Sequence, residues 1–289
     1  MIFPGNVGDA DTLKKVVEEL IHTKRKVMIS VAPVAGPDPL IPEELAEDVE
    51  KCIELGAGIC HLHCKTREGE LTPDTDNLFK ALDLIRAKKD VVLQVSTGGV
   101  SDMDIVQRCN PLDYPWAESG SLNGGSTNLG EAVYINSFDD IRYCAKQCYE
   151  KGVIPEIEVF DIGMLHNMKT VFEEVPYRTP VWFNLVFGHK GGMQPTIEAL
   201  AAFRSFVPEG CLWGVTHFER DNWTFLAAAI AMGASLVRIG FEDSRYLSEG
   251  KAAEHNYELV EKLVHLVKAM DLDVAAPDEV REIISTVKK

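Results

Sequence analysis

Short runs of apolar and β-branched residues alternate with longer amphipathic stretches along most of the chain. The runs cover residues 27–33, 58–63, 91–97, 114–121, 154–161, 180–187, 211–217 and 235–241, and each reads as a strand. Helical patterns fill the gaps. Residues 42–55 open on Pro42 followed by Glu43 and Glu44, the residue types that favour a helix start. Residues 137–151 open Ser-Phe-Asp-Asp and place apolar or small side chains at 138, 141, 145, 148 and 149. Residues 198–206 and 223–232 are further helices.

Strand then helix, eight times over, predicts an α/β fold, a closed (β/α)8 TIM barrel in a single domain. A doubly wound open sheet is the rival. The count of eight favours the barrel, and no Gly-x-Gly-x-x-Gly follows the first strand. The pattern divides the chain into residues 1–26, an N-terminal helical extension expected to plug the barrel bottom, and residues 27–289, the barrel with a C-terminal helix.

Composition narrows the partners. A formal net charge of −16 makes nucleic acid and anionic membrane poor partners, so any anionic substrate must be met by local Arg or Lys. The 7 cysteines show no regular framework and read as reduced packing residues, which points to the cytoplasm. Met-Ile-Phe-Pro-Gly-Asn carries no basic region ahead of an apolar core, and the longest apolar run, 225–234, is far short of a membrane span.

Barrel enzymes carry their chemistry at the C-terminal strand ends, and the reactive residues of this chain collect there. The second strand ends in His61-Leu62-His63. Residues i and i+2 of a strand share a face, so both imidazoles reach one point and offer two neutral nitrogen ligands. Two inert, hydrogen-bonded histidines are the alternative reading. Gln94, Ser96, Thr97, Gly98 and Gly99 end the third strand; Glu156, Glu158 and Asp161 lie on the fifth, Asn184 on the sixth and His217 on the seventh. In the eighth, Arg238, Gly240 and Glu242 share a face, with the small Gly240 leaving room between the charges. A structural Arg238–Glu242 ion pair is one reading. The other makes Glu242 the third ligand of a divalent-metal shell with His61 and His63, for which Zn²⁺ fits best and Fe²⁺, Mn²⁺ or Co²⁺ also suit. Ser96-Thr97-Gly98-Gly99 is either a tight turn or a cradle for an oxyanion. Asp161 reads as a helix cap.

His61-Leu62-His63, Ser96-Thr97-Gly98-Gly99, Ser121-Leu122-Asn123, Pro155-Glu156-Ile157-Glu158-Val159-Phe160-Asp161 and Val237-Arg238-Ile239-Gly240-Phe241-Glu242-Asp243 occur in this order. Together they resemble the β-keto acid cleavage enzymes, the family of the 3-keto-5-aminohexanoate cleavage enzyme. The resemblance implies an oligomeric barrel, a dimer or tetramer of identical chains, with a Zn²⁺ site. It implies that a 3-keto acid and acetyl-CoA give acetoacetate and a new acyl-CoA. It further implies His61, His63 and Glu242 as metal ligands, Asp243 with Arg238 as the base system, and Ser96 or Thr97, Ser121 and Glu158 as substrate contacts. Lys65 and Thr66 stand where the family often has Arg and Asp. Near the seventh strand the family's two glycines are lost but Arg220 is kept, and it is expected to meet CoA phosphates. Asp38 is a loose match for a carboxylate that would hold a substrate amino group. Another metal-dependent barrel enzyme, a hydrolase or an aldolase, is the alternative function.

Overall fold

The computed structural model describes residues 24–286 and 288–289. Eight parallel strands form a closed barrel: β1 (Lys26–Val31), β2 (Ile59–Leu62), β3 (Val92–Val95), β4 (Ser119–Asn123), β5 (Ile154–Val159), β6 (Trp182–Phe187), β7 (Leu212–His217) and β8 (Leu236–Ile239). Each pairs with the next, and β8 returns to β1 with Met28 opposite Leu236 and Ser30 opposite Arg238. The predicted barrel is the observed one.

The helices between strands are α1 (Pro42–Leu55), α2 (Asp76–Lys88), α3 (Ile105–Arg108), α4 (Phe138–Lys151), α5 (Ile162–Glu174), α6 (Ile197–Phe206) and α7 (Thr224–Ala231). After β8 come α8 (Asn256–Ala269) and α9 (Pro277–Ile284). Local chemistry sets their ends. Ser137 caps α4 by accepting from the Asp140 N–H, and Gly152 closes that helix in the left-handed conformation. Asp161 caps α5 by accepting from the Met164 N–H, as expected.

The fourth strand differs from the expectation of 114–121. Tyr114 to Ala117 form a turn, with the Ala117 N–H donating to the Tyr114 carbonyl, and the strand starts only at Ser119. Pro115 has no N–H to give a ladder, and the Tyr114 hydroxyl is drawn to Asp83, 2.7 Å away on α2.

The barrel interior is layered. At the N-terminal end, Met28, Ile59, Val92, Ile154, Trp182 and Leu236 pack with Val280 and Ile284 of α9. The C-terminal helix therefore closes this end. The N-terminal extension expected there lies, up to residue 23, outside the described residues. Arg281 of α9 fixes the plug, donating to both carboxylate oxygens of Glu118 and to Asp90. One layer higher the interior turns polar: Ser30, His61, Gln94, Ser119, Glu156, Asn184, Thr216 and Arg238 are all buried. Most of these groups are joined by hydrogen bonds, Gln94 to His61, Ser119 and Glu156, and Asn184 to Glu156 and Thr216, while Ser30 Oγ has no partner among the described residues.

Candidate active site

His61 is on β2 and His63 is the first residue beyond it. Their rings stand 5.2 Å apart, edge to face. Each ring turns its Nδ1 toward an acceptor: His61 toward Gln94 Oε1 at 2.7 Å, His63 toward the Gly98 carbonyl at 3.1 Å. The Gln94 contact places the His61 proton on Nδ1 and leaves its Nε2 with a free lone pair, while His63 Nε2 lies at hydrogen-bond distance from Glu242 Oε1.

Both Nε2 atoms converge on Glu242. Glu242 Oε1 is 3.2 Å from His63 Nε2 and 3.9 Å from His61 Nε2. The three donor atoms lie within 4.8 Å of one another. His61 Nε2 is buried without a hydrogen-bond partner among the described residues. An orphaned imidazole nitrogen beside a second one and a carboxylate fits the donor set of a transition-metal ion.

Charge follows the same arrangement. Burial holds His61 down to about 3, against the pull of Glu242, so its imidazole is neutral. For His63 burial also acts downward, but the charge of Glu242 and its hydrogen bond outweigh it and raise the value. Burial alone would raise Glu242; His63, Arg238 and His61 overcome it and keep the carboxylate ionised.

Glu242 owes its place to a turn. β8 ends at Ile239, and Gly240 has φ +143°. A Cβ on Gly240 would stand 2.2 Å from the Ala32 carbonyl oxygen. Glycine is thus required for the close approach to β1, which corrects its reading as a spacer between two strand charges. Beyond it the Glu242 N–H donates to Ala32 O, and the Asp243 N–H donates to Gly240 O.

Arg238 joins the acidic groups. It donates to Asp243 Oδ1 at 2.6 Å and Oδ2 at 3.1 Å, to Glu158 Oε1 at 3.1 Å and to Glu242 Oε1 at 3.1 Å. The Arg238–Glu242 ion pair and the approach of Glu242 to both histidines therefore exist together. Burial raises Asp243; Arg238 opposes the rise and Glu242 adds to it. Burial raises Glu158 as well, again against Arg238.

A cleft of about 210 Å³ opens above these groups, lined by Val34, Gly36, His63, Lys65, Leu71, Gly99, His189, Phe218, Arg238, Glu242 and Asp243. Val34, Lys65, Leu71, His189 and Phe218 had no site role in the sequence reading. Lys65 is 3% exposed and donates to the Ala35 and Gly36 carbonyls. His189 stacks on Phe218 at 3.9 Å, and burial holds it down to about 4. Loops bring these residues together, and the only signal for them was their position after strand ends.

Other expected residues sit behind the cleft. The Thr97 hydroxyl donates to the Ser121 carbonyl at 2.6 Å, and the Thr97 N–H donates to Ser121 Oγ at 3.2 Å. Ser96 Oγ is 3.3 Å from Ser121 Oγ and accepts from the Gly98 N–H. These hydroxyls pin the loop that presents Gly98 and Gly99. Arg220 is buried at 2% exposure, donates to the Tyr246 carbonyl and stacks on Trp223 at 4.4 Å. The guanidinium expected to meet CoA phosphates is thus packed inside, close enough to Asp243 for their charges to interact. Asp38 pairs with Arg245 and is not among the residues lining the cleft. His217 is buried against Phe225.

A sequence profile of the family described as beta-keto acid cleavage enzyme matches residues 32–285. A 3-keto-5-aminohexanoate cleavage enzyme of Fusobacterium nucleatum is 36% identical over 257 residues, 87% of this chain and 93% of that protein. A 3,5-dioxohexanoate:acetyl-CoA acetone transferase of Paraburkholderia graminis is 28% identical, over 91% of this chain and 96% of that one. Among solved structures, ObcA in a ternary complex with a C4-CoA adduct and oxalate superposes with a TM-score of 0.71 at 17% identity, over 86% of this chain and 67% of its own, which supports the barrel fold.

Proposed function

The chain belongs to the β-keto acid cleavage enzyme family, and from that premise we propose that it condenses a 3-keto acid with acetyl-CoA, giving acetoacetate and a new acyl-CoA. The CH₂–COO⁻ half of the keto acid leaves joined to the acetyl group, and the remaining acyl group passes to the CoA sulfur. The names of its relatives, one an acetyl-CoA transferase, support this reading.

His61 Nε2, His63 Nε2 and Glu242 would hold a divalent ion, for which Zn²⁺ is the proposed identity. When bound, the ion supplies Lewis acidity toward the carbonyl of a keto acid in the cleft. Asp243 takes the proton from the carbon between the two carbonyls. Burial raises its pKa against the pull of Arg238, which makes the carboxylate a stronger base than a solvent-exposed one. Arg238 grips both Asp243 oxygens and so fixes the direction from which the proton is taken. Glu158 on β5, held by Arg238, is the further substrate contact proposed, although it is not among the residues lining the cleft. Ser96, Thr97 and Ser121 act by holding the Gly98–Gly99 loop, so that its backbone N–H groups can meet a developing oxyanion. Arg220 supports Asp243 by its charge from below.

The observation that carries the reading is the orphaned His61 Nε2 facing His63 and Glu242, next to an Arg238-gripped Asp243. The test is acetoacetate formation by metal-loaded protein across a panel of 3-keto acids. Product is expected only with acetyl-CoA present. Silence across the panel overturns the reading, and turnover of an amide or aldol without CoA would point to the rival hydrolase or aldolase.

The seven free cysteines support a cytoplasmic location. No helix among the described residues is long and apolar enough to cross a membrane. Assembly into a dimer or tetramer is proposed as well. Val100, Val133 and Ile135 stand exposed around one groove, and solution mass by light scattering tests whether copies associate.

A further inference from the structure

Three polar residues that the proposed reaction does not use, Gln94, Glu156 and Asn184, form one buried chain of hydrogen bonds beneath His61. Strand register brings them together. Gln94 lies opposite His61 on one side and Ser119 on the other, and Glu156 and Asn184 follow on β5 and β6. All point into the barrel at mid-height, where apolar residues would ordinarily fill the core.

The direction of the chain is fixed from its far end. Asn184 Nδ2 donates to Glu156 Oε1. Gln94 Nε2 donates to Glu156 Oε2 at 2.6 Å and to Ser119 Oγ at 2.9 Å. Ser119 Oγ in turn donates to the Ile154 carbonyl, so toward Gln94 it can only accept. The Gln94 amide therefore has both donors committed on one side. With Glu156 ionised, reversing it would set Oε1 against a carboxylate oxygen. Oε1 must face His61, and at 2.7 Å it accepts from Nδ1. His61 is thereby confined to the tautomer whose Nε2 lone pair faces His63 and Glu242.

We propose that Gln94 and Glu156 are positioning residues that set the metal affinity of the site by fixing the His61 tautomer. The inference rests on the metal reading above, but it names residues that touch neither ion nor substrate. Glu156 does the selecting: its two oxygens are the acceptors that orient the amide, and the amide orients the imidazole.

Two measurements test it. The first is the ¹⁵N spectrum of the histidines in metal-free, full-length wild-type protein at alkaline pH. His61 protonated on Nδ1 is expected; a proton on Nε2 overturns the proposal whatever any variant does. The second is the Zn²⁺ dissociation constant, read by competition with a chromogenic chelator. Gln94→Met keeps the length of the side chain and removes the acceptor, and it is expected to weaken binding about 10–100-fold. Glu156→Gln, which can still offer Gln94 an oxygen, is expected to restore most of the affinity lost in Glu156→Met. Unchanged affinity in folded Gln94→Met, or equal affinities in the two Glu156 variants, overturns the positioning role. Failure of wild-type protein to take up Zn²⁺ would instead remove the metal reading on which it rests.

Discussion

Arg238 grips Asp243 through two N–H groups, at 2.6 Å and 3.1 Å, five residues along the same strand and turn. The gap is bridged because the chain turns back at Gly240 against Ala32. The same guanidinium holds Glu158 and Glu242, so one cation orders three carboxylates, one from β5 and two from the turn after β8. Removing one member of a buried ion pair leaves an uncompensated charge, and this makes the group sensitive to single substitutions.

Asp243→Asn keeps the shape and still meets Arg238 with one oxygen. It removes the proton acceptor. kcat is expected to fall about 10²–10⁴-fold with bound metal unchanged, checked by steady-state rates alongside metal analysis. Wild-type turnover in a metal-replete variant would eliminate Asp243 as the base.

Chelation followed by dialysis is expected to abolish acetoacetate formation, and added Zn²⁺ to restore it. Glu242→Gln is expected to lose metal stoichiometry, since the amide cannot replace the ionised oxygen between two imidazoles. Full activity in metal-free protein would refute the three-ligand site.

Substrate charge should matter. Lys65 brings a buried ammonium to the cleft, and every carboxylate lining it among the described residues is held by Arg238. Asp38 is paired with Arg245 instead. A 3-keto acid bearing an ammonium group is therefore expected to give kcat/KM at least ~10-fold below an uncharged analogue of equal length, roughly 1.4 kcal/mol of transition-state binding. The reverse preference, measured in parallel assays, would show that the cleft accommodates a cation.

Stability should depend on pH through Glu156. Burial, followed by the charge of Glu158, raises its pKa from an ordinary 4.5 to about 7. Between those values the folded protein holds a proton that the unfolded chain releases, so the contribution is stabilising at low pH and is lost as pH rises toward 7. Urea midpoints of wild type minus Glu156→Gln should fall over that window. A flat difference would mean that Glu156 titrates normally.

Arg281 anchors the plug helix to Glu118 and Asp90. Arg281→Met is expected to cost about 3–5 kcal/mol, read from urea unfolding, because Glu118 would remain buried without its partner. The site lies at the opposite end of the barrel, so KM should be unchanged in the folded fraction. A shift in KM would mean that the two ends are coupled.

Much of this was legible along the chain. The strand–helix alternation is local: apolar period and helix-start chemistry act over a few residues, and they located Pro42–Leu55 and a helix over 137–151, which the structure starts at Phe138 with Ser137 as its cap. The His61–His63 pair was legible because strand geometry alone puts both on one face. The error at β4 came from starting the strand at Tyr114, ahead of Pro115, which cannot feed a ladder. The burial of Arg220 was not legible, because a phosphate-facing and an inward-facing arginine look alike until Trp223 and the Tyr246 carbonyl are seen around it.

The sequence by itself determined the barrel, the ends where polar residues collect, and the two imidazoles that share a face, because period and propensity are properties of neighbouring residues. Only the tertiary structure decided that Glu242 reaches those imidazoles across 179 residues, that Gln94 and Glu156 stand beneath His61, and that the C-terminal helix closes the barrel. Each of these depends on the register of strands around a closed sheet, and register is settled by packing and hydrogen bonds between segments distant in the chain.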